Sequence, residues 1–220
     1  MSELTPGISP YVYCSDNPIN RIDPTGMRDY FDRNGNFIKT VDDGTDDRYL
    51  IVSTTNRKNV DKAIANNEYI LVPSASVMQA IEKVYVYTET TGDEAGFFVT
   101  ANNEPTSTSY GDKDKISIDS SELNENNPPI YDVHSHPKEI LSSKASDVDM
   151  KNNEKTVDII LGFTKDYNNG TAGSETVVGS TGNNYNIVRE VGFYTNKHIY
   201  SIKYPNFIKL INKINKYEKP

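Results

Sequence analysis

The chain has 220 residues, 35% of them hydrophobic and 10% aromatic with no Trp, which suits one domain with a modest core and generous polar loops. Its 31 acidic and 23 basic residues give a formal net charge of −8, and because an acidic surface repels phosphate polymers, nucleic acid is not an expected partner. The single cysteine, Cys14, excludes an internal disulfide. No apolar run approaches the roughly 18 residues of a transmembrane helix, and residues 1–30 lack the pattern of a signal peptide.

Residues 1–27 are rich in Pro, Gly, Asn and Asp, with Asn-Pro at 17–18 and Asp-Pro-Thr-Gly at 23–26 after a Tyr-rich stretch at 11–13. Such a segment cannot build a core alone, so we expect it to be the end of another structure. It resembles the end of the Rhs repeat-associated core, which carries these motifs at this spacing. The resemblance implies that the following residues are an interchangeable effector, often a toxin, which is exported as part of a larger protein and has a cognate immunity protein.

Residues 28–72 are predicted to form a hairpin and linker region. Asn34-Gly35 is a strong turn signal inside the hairpin expected at 29–39. Asp32, Asn34 and Asn36 lie at the offsets of a calcium-binding loop, but the bidentate Glu of such a loop is missing, so calcium binding is not expected. A short helix is expected at 57–67.

Residues 73–220 are predicted to form the effector domain, beginning with a helix that follows Pro73 and is capped by Ser74 or Ser76. Alternating Tyr and Val or Ile residues suit half-buried strands. We expect an α+β fold with a mixed sheet flanked by a few helices. Strands are expected at 84–89, 95–101, 115–119, 130–134, 157–163, 175–180, 185–194 and 197–203, and further helices at 146–155 and 205–217.

The most informative motif is His134-Ser135-His136-Pro137 at the end of an apolar strand. Residues two apart in a strand project from the same face, so both imidazoles can reach one metal ion. Pro137 then ends the strand. The pair therefore predicts two ligands of a metal site, whereas His198, in a mixed polar and apolar strand, is expected at the surface.

A catalytic zinc site needs a third protein ligand and an open position for water. Ser146 is a good helix N-cap, which places Asp149 one turn inside the next helix, where its carboxylate can be the third ligand. A carboxylate beside the water can act as general base. Glu94, at the start of an apolar strand and 40 residues before His134, is the candidate.

This arrangement resembles the JAB/MPN/JAMM metalloprotease superfamily, whose pattern is a Glu at a strand start, then His-x-His-Pro, then Ser-x-x-Asp. The resemblance implies a JAB/MPN-like (cytidine-deaminase-like) core, Zn²⁺ held by His134, His136 and Asp149, Glu94 as base, and Ser146 as a hydroxyl that stabilises the tetrahedral intermediate. It also implies hydrolysis of a peptide or isopeptide bond in a protein of a target cell.

The spacing leaves the third ligand open. Nine residues separate His136 from Ser146, whereas seven are usual in the superfamily, and the strict spacing makes Asp147 the ligand and places Lys144 at the serine position. We prefer Ser146 and Asp149 because a longer loop costs little free energy and because this choice keeps the helix cap. Glu94 and His134 are separated by fewer residues than is usual in the superfamily, which indicates a shortened domain.

The sequence also bears on three other functions. Amidohydrolase-type and related sites recruit more histidines than the one that this chain has left. A nuclease toxin, common after Rhs leaders, is disfavoured by the acidic charge. The main alternative is a catalytically inactive tail that binds zinc or another protein.

Overall fold

The computed structural model describes residues 27–42, 44–140, 157–166, 175–178, 184–195 and 198–218. Within these ranges the chain forms eleven strands in two mixed sheets and three α-helices, which is an α+β fold. Most of the buried apolar side chains belong to one core cluster, to which both sheets contribute. None of the helices in the described ranges is long and apolar enough to cross a membrane.

The first sheet has the strand order β2-β1-β3-β4, with β1 parallel to β3 and the other pairs antiparallel. The predicted hairpin is confirmed, since β1 pairs with β2 and Gly35 adopts a positive φ of 68° in the turn. A 3-10 turn and α1 fill part of the expected 57–67 helix. The strands are Met27–Phe31, Phe37–Asp42, Arg48–Ile51 and Tyr69–Leu71, and α1 is Val60–Ala65.

The second sheet has the order β11-β10-β8-β7-β5-β6, with β9 paired to β10. In this sheet β7 and β8 are a parallel pair, and the other paired strands of the described ranges are antiparallel. Its strands are β5 Ala95–Thr100, β6 Ser109–Tyr110, β7 Pro129–Ser135, β8 Asp158–Asp166, β9 Glu175–Val178, β10 Asn184–Tyr194 and β11 His198–Lys203.

Helix α2, Ala75–Thr91, corrects the strand expected at 84–89. The Ser74 hydroxyl accepts the Val77 N–H at the predicted cap, and the helix then continues to Gly92, which ends it with a φ of 78°. Its buried residues recur at helical spacing and form the face that packs on the sheet. The alternating Val and Tyr pattern at 84–87 was misleading, because Val84 and Tyr85 are neighbours on that one buried face.

The strand expected at 115–119 is also wrong. Residues 112–115 form a tight turn closed by a single bridge between Asp112 and Lys115, and residues 116–120 are irregular. Gly111 lies so close to this turn that a Cβ there would be 2.3 Å from the Lys115 carbonyl oxygen. The turn therefore diverts the segment from the sheet into a loop.

Helix α3, Tyr204–Asn215, joins the two sheets and confirms the predicted terminal helix. The Arg48 guanidinium of the first sheet donates hydrogen bonds to the carbonyl oxygens of Ile214 and Tyr217 at 2.7 and 3.0 Å. The Tyr217 ring stacks on Phe37, with ring centroids 5.2 Å apart. Residues 27–72 are therefore packed against the C-terminal helix of the chain.

The turn at 32–36 binds the ammonium group of Lys213 from the C-terminal helix. The Asp32 carboxylate accepts the backbone N–H groups of Asn34 and Asn36. The Lys213 ammonium donates to the Asn34 carbonyl at 2.7 Å and to the Asn36 side-chain oxygen at 2.9 Å. The ammonium group of Lys213 therefore links the C-terminal helix to two oxygen atoms of this turn.

Candidate metal centre

Strand β7 brings the two predicted histidine ligands together. Side chains alternate along the strand, so Asp132 and His134 share one face, whereas Val133 and Ser135 project toward the opposite face. His136 directly follows the last strand residue, and its N–H donates to the Leu161 carbonyl of β8 at 2.8 Å, so the same alternation places it on the face of His134. His134 and His136 are each only 5% exposed. Two imidazoles are thus held side by side and largely out of water.

The distance between the two rings fits a shared metal ion. Their centroids are 5.3 Å apart and the ring planes are tilted by 52°. Two imidazoles that bind one tetrahedral zinc through nitrogens at about 2.0 Å have ring centres about 5 Å apart. The separation of the two rings is therefore compatible with a shared metal ion.

Ser135, which the sequence analysis missed, fixes the strand between the two histidines. It is fully buried, and its Oγ accepts the Ala95 N–H at 3.0 Å. The same oxygen lies 3.2 Å from the Ala95 carbonyl oxygen and 2.5 Å from Thr88 Oγ1 of α2. Because these contacts hold β7 to both β5 and α2, they limit the movement of the neighbouring histidines.

Gly96 on β5 lies directly across from His134 in the antiparallel ladder. A Cβ at position 96 would be 2.9 Å from His134 Cβ and 2.6 Å from the Val133 carbonyl oxygen. Only glycine allows this close approach without displacement. The glycine that follows the predicted base by two positions therefore has a structural role beside the histidines.

Glu94 precedes β5 and is buried, with 7% of its surface exposed. Its N–H donates to the Asp112 carbonyl at 3.0 Å, and its carbonyl accepts the Gly111 N–H at 2.9 Å. Extension of the β5–β7 register by two residues from Gly96 places Glu94 across from His136, on the histidine face of the sheet. Glu94 therefore lies at the end of β5 that is next to the two histidines.

Two carboxyl groups lie behind His134. Asp132 Oδ2 is 3.8 Å from His134 Nδ1, and the Asp132 N–H donates to Asp158 Oδ1 of β8 at 3.1 Å. Burial, followed by the repulsion of the Asp132 carboxylate, raises the pKa of Asp158 from its ordinary value of 3.8 to about 8. Strand alternation in the sequence places Asp132, two positions before His134, on the same face as this histidine. No sequence pattern indicates Asp158, because it belongs to another strand, β8.

The remaining predicted residues, Ser146, Asp147 and Asp149, and the helix expected at 146–155 lie outside the described residues. Among the residues that the structure does describe, no group of three or more His, Cys, Asp or Glu side chains is arranged to hold a metal ion. The described residues thus provide two neighbouring histidines and a nearby carboxylate. The third ligand remains a prediction from the sequence.

The chain matches no protein-family model, no curated protein and no solved structure. Its candidate chemistry is therefore inferred from its own residues alone.

Proposed function

We propose that the chain is a zinc-dependent hydrolase that cleaves a peptide or isopeptide bond. The observation that carries the proposal is the His134 and His136 pair, buried on one strand face with ring centroids 5.3 Å apart. Glu94 directly precedes β5, the strand that pairs with β7 beside these histidines. Two imidazoles with a neighbouring buried carboxylate are typical of a metal-assisted hydrolase.

His134 and His136 would hold the zinc ion, with Asp149, or alternatively Asp147, as the third ligand. Zinc supplies a Lewis acid for the scissile carbonyl and a water that ionises near neutral pH. Glu94 takes the proton of the attacking water and then donates it to the leaving amine. Ser146 donates a hydrogen bond to the carbonyl oxygen as its negative charge develops.

The JAB/MPN-like core and the effector role belong to the same proposal. The mixed α+β sheet is compatible with such a core, and the motif order Glu94, His134, His136 supports it. The leader at 1–27 supports the role of a C-terminal toxin that is exported within a larger Rhs-type protein. Its substrate is then a protein of the target cell, and an immunity protein protects the producer.

The test combines metal analysis with a peptidase assay and a toxicity assay on the full chain. We expect stoichiometric zinc and activity in the wild type, and loss of both in His136→Ala. Glu94→Gln, which keeps the shape of the side chain but removes the base, should retain zinc and lose activity. Full activity of Glu94→Gln would overturn the assignment of the base. Bound zinc without hydrolysis of any peptide, and without toxicity, would favour the inactive zinc-binding tail.

Two further variants assign the third ligand. We expect Asp149→Ala to lose zinc and Asp147→Ala to keep it. The opposite result would replace Asp149 by Asp147 and leave the proposed reaction intact.

A further inference from the structure

The Nδ1 edge of His134 faces a carboxylate on its own strand. Asp132 lies two residues earlier on the same face of β7, and its Oδ2 atom is 3.8 Å from His134 Nδ1. The His134 side chain is 7% exposed, whereas that of Asp132 is 26% exposed. The imidazole is therefore buried, whereas the carboxylate beside it is partly exposed.

The position of Asp132 is itself fixed by the adjacent parallel strand. Val133 pairs with Ile159, so Asp132 and Asp158 are neighbours on the histidine face of the sheet. The Asp158 carboxyl group accepts the Asp132 N–H at 3.1 Å. This contact fixes the backbone of β7 two residues before His134. It lies next to the first residue pair of the β7–β8 ladder, Val133 and Ile159.

A histidine that binds a metal through one ring nitrogen commonly donates its other N–H group to a carboxylate. This second contact selects the tautomer, orients the ring and makes the imidazole a better ligand. With Nδ1 turned toward Asp132, Nε2 is the nitrogen of His134 that is directed away from the carboxylate. Asp132 has the type and the side that this orienting role requires, and its Oδ2 atom has to approach Nδ1 by less than about 1 Å from 3.8 Å to accept the hydrogen bond.

We propose that Asp132 is the positioning residue of His134, which holds Nδ1–H so that Nε2 binds the metal, and that Asp158 in turn positions Asp132. The inference rests on the proposed zinc site and adds two residues to it that were not among the sequence-predicted site residues. Neither carboxylate is assigned as a ligand. Both act through His134.

The test measures the zinc affinity of the full chain by competition with a chelator of known affinity. We expect Asp132→Ala to weaken zinc binding by about 10- to 100-fold, as is usual when such an outer partner is removed. Asp132→Asn keeps an oxygen that can accept from Nδ1–H and should recover part of the affinity. Asp46→Asn, at an exposed carboxylate before β3, is the matched control and should bind zinc like the wild type.

Asp158 is tested by the same measurement in two variants. Asp158→Ala removes the acceptor for the Asp132 N–H and should weaken zinc binding, whereas Asp158→Asn retains an acceptor and should bind zinc more tightly than Asp158→Ala. In the double variant Asp132→Ala/Asp158→Ala, the second change should add less than it does alone, because both act through one imidazole.

Visible absorption of the Co²⁺-substituted chain gives a second readout that a general loss of stability does not change. We expect the absorption bands of Asp132→Ala to shift, because the orientation of the His134 ligand changes, and those of Asp46→Asn to remain at the wild-type positions. Zinc affinity and cobalt spectra of Asp132→Ala identical to the wild type would overturn the positioning role alone. A wild type that binds no zinc would instead overturn the proposed function, so the two failures are distinct.

Discussion

Gly96 and His134 face each other across the β5–β7 ladder so closely that an added Cβ would lie 2.9 Å from His134 Cβ. The same Cβ would be 2.6 Å from the Val133 backbone carbonyl and 3.1 Å from Ile118 Cδ1, so it has no free space on this side. The candidate site therefore packs against the backbone of β5 at a position without a side chain. This close approach makes a direct prediction.

Gly96→Ala should displace His134 and weaken zinc binding by on the order of tenfold or more, since metal sites need ligands held within about 0.5 Å. The overpacked contact should also lower the free energy of unfolding by about 1–3 kcal/mol. Chelator competition and urea unfolding measure the two effects.

Gly44→Ala separates these effects. Gly44 has a φ of 79° and no atom within 4 Å of where its Cβ would be. Alanine there should destabilise the fold by about 1–2 kcal/mol through the backbone alone and leave zinc affinity unchanged. Equal loss of zinc affinity in both variants would show that the contact between positions 96 and 134 is not the cause.

Ser135→Ala should lower the free energy of unfolding by about 1–3 kcal/mol, because the buried Ala95 N–H loses the Ser135 oxygen that accepts it at 3.0 Å. Ser121→Ala, at an exposed hydroxyl that contacts Asp119, should change it by less than about 0.5 kcal/mol. Urea unfolding of the two variants compares them. A Ser135→Ala variant as stable as Ser121→Ala would contradict the role of Ser135 in fixing β7.

Sequence patterns were informative where the physical cause is local. The Asn34-Gly35 turn, the Ser74 cap and the alternation that puts His134 and His136 on one face all depend on residues a few positions apart. The pattern at 84–87 failed because two aromatic and two β-branched residues suit a strand locally, whereas the cap at Ser74 and the packing of α2 on the sheet decide for the helix.

The surroundings of the histidines could not be predicted in the same way. Asp158 joins Asp132 only because β8 lies parallel to β7 in one particular register. Strand order and register are set by packing between distant segments, so local patterns in a single sequence do not reveal them. The hydrogen bond from Arg48 to the Ile214 carbonyl of α3, 166 residues away along the chain, likewise depends on packing between distant segments.

The pH dependence of stability should report on Asp158. Its pKa is raised from 3.8 to about 8, so the folded chain binds a proton that the unfolded chain releases over this range. This proton stabilises the fold fully below the unfolded pKa, and its contribution is lost as pH rises through the folded pKa. We therefore expect the metal-free wild type to lose stability between about pH 4 and pH 8 more steeply than Asp158→Asn.

Urea unfolding with excess chelator across this pH range measures the difference between the two proteins. Asp46→Asn is the control, because this exposed carboxylate should leave the wild-type pH dependence unchanged. Parallel curves for the wild type and Asp158→Asn would show that Asp158 does not titrate in this way.

Arg48→Ala tests the connection between the first sheet and α3. The guanidinium bonds two carbonyl groups at the end of this helix, where a cation also interacts favourably with the helix dipole. We expect a loss of about 1.5–3 kcal/mol in the free energy of unfolding. Arg57→Ala, at an exposed arginine, should change it by less than about 0.5 kcal/mol, and equal losses in the two variants would contradict the connection.

The most direct test of the metal centre is the zinc content of the purified full chain after dialysis against metal-free buffer. We predict one zinc ion per wild-type chain, and less than about a tenth of that in His134→Ala and in His136→Ala, because each removes one of three protein ligands. His198→Ala, at the remaining histidine of the sequence, should keep the wild-type content. A wild-type chain without zinc, or zinc that persists in both site variants, would contradict the account.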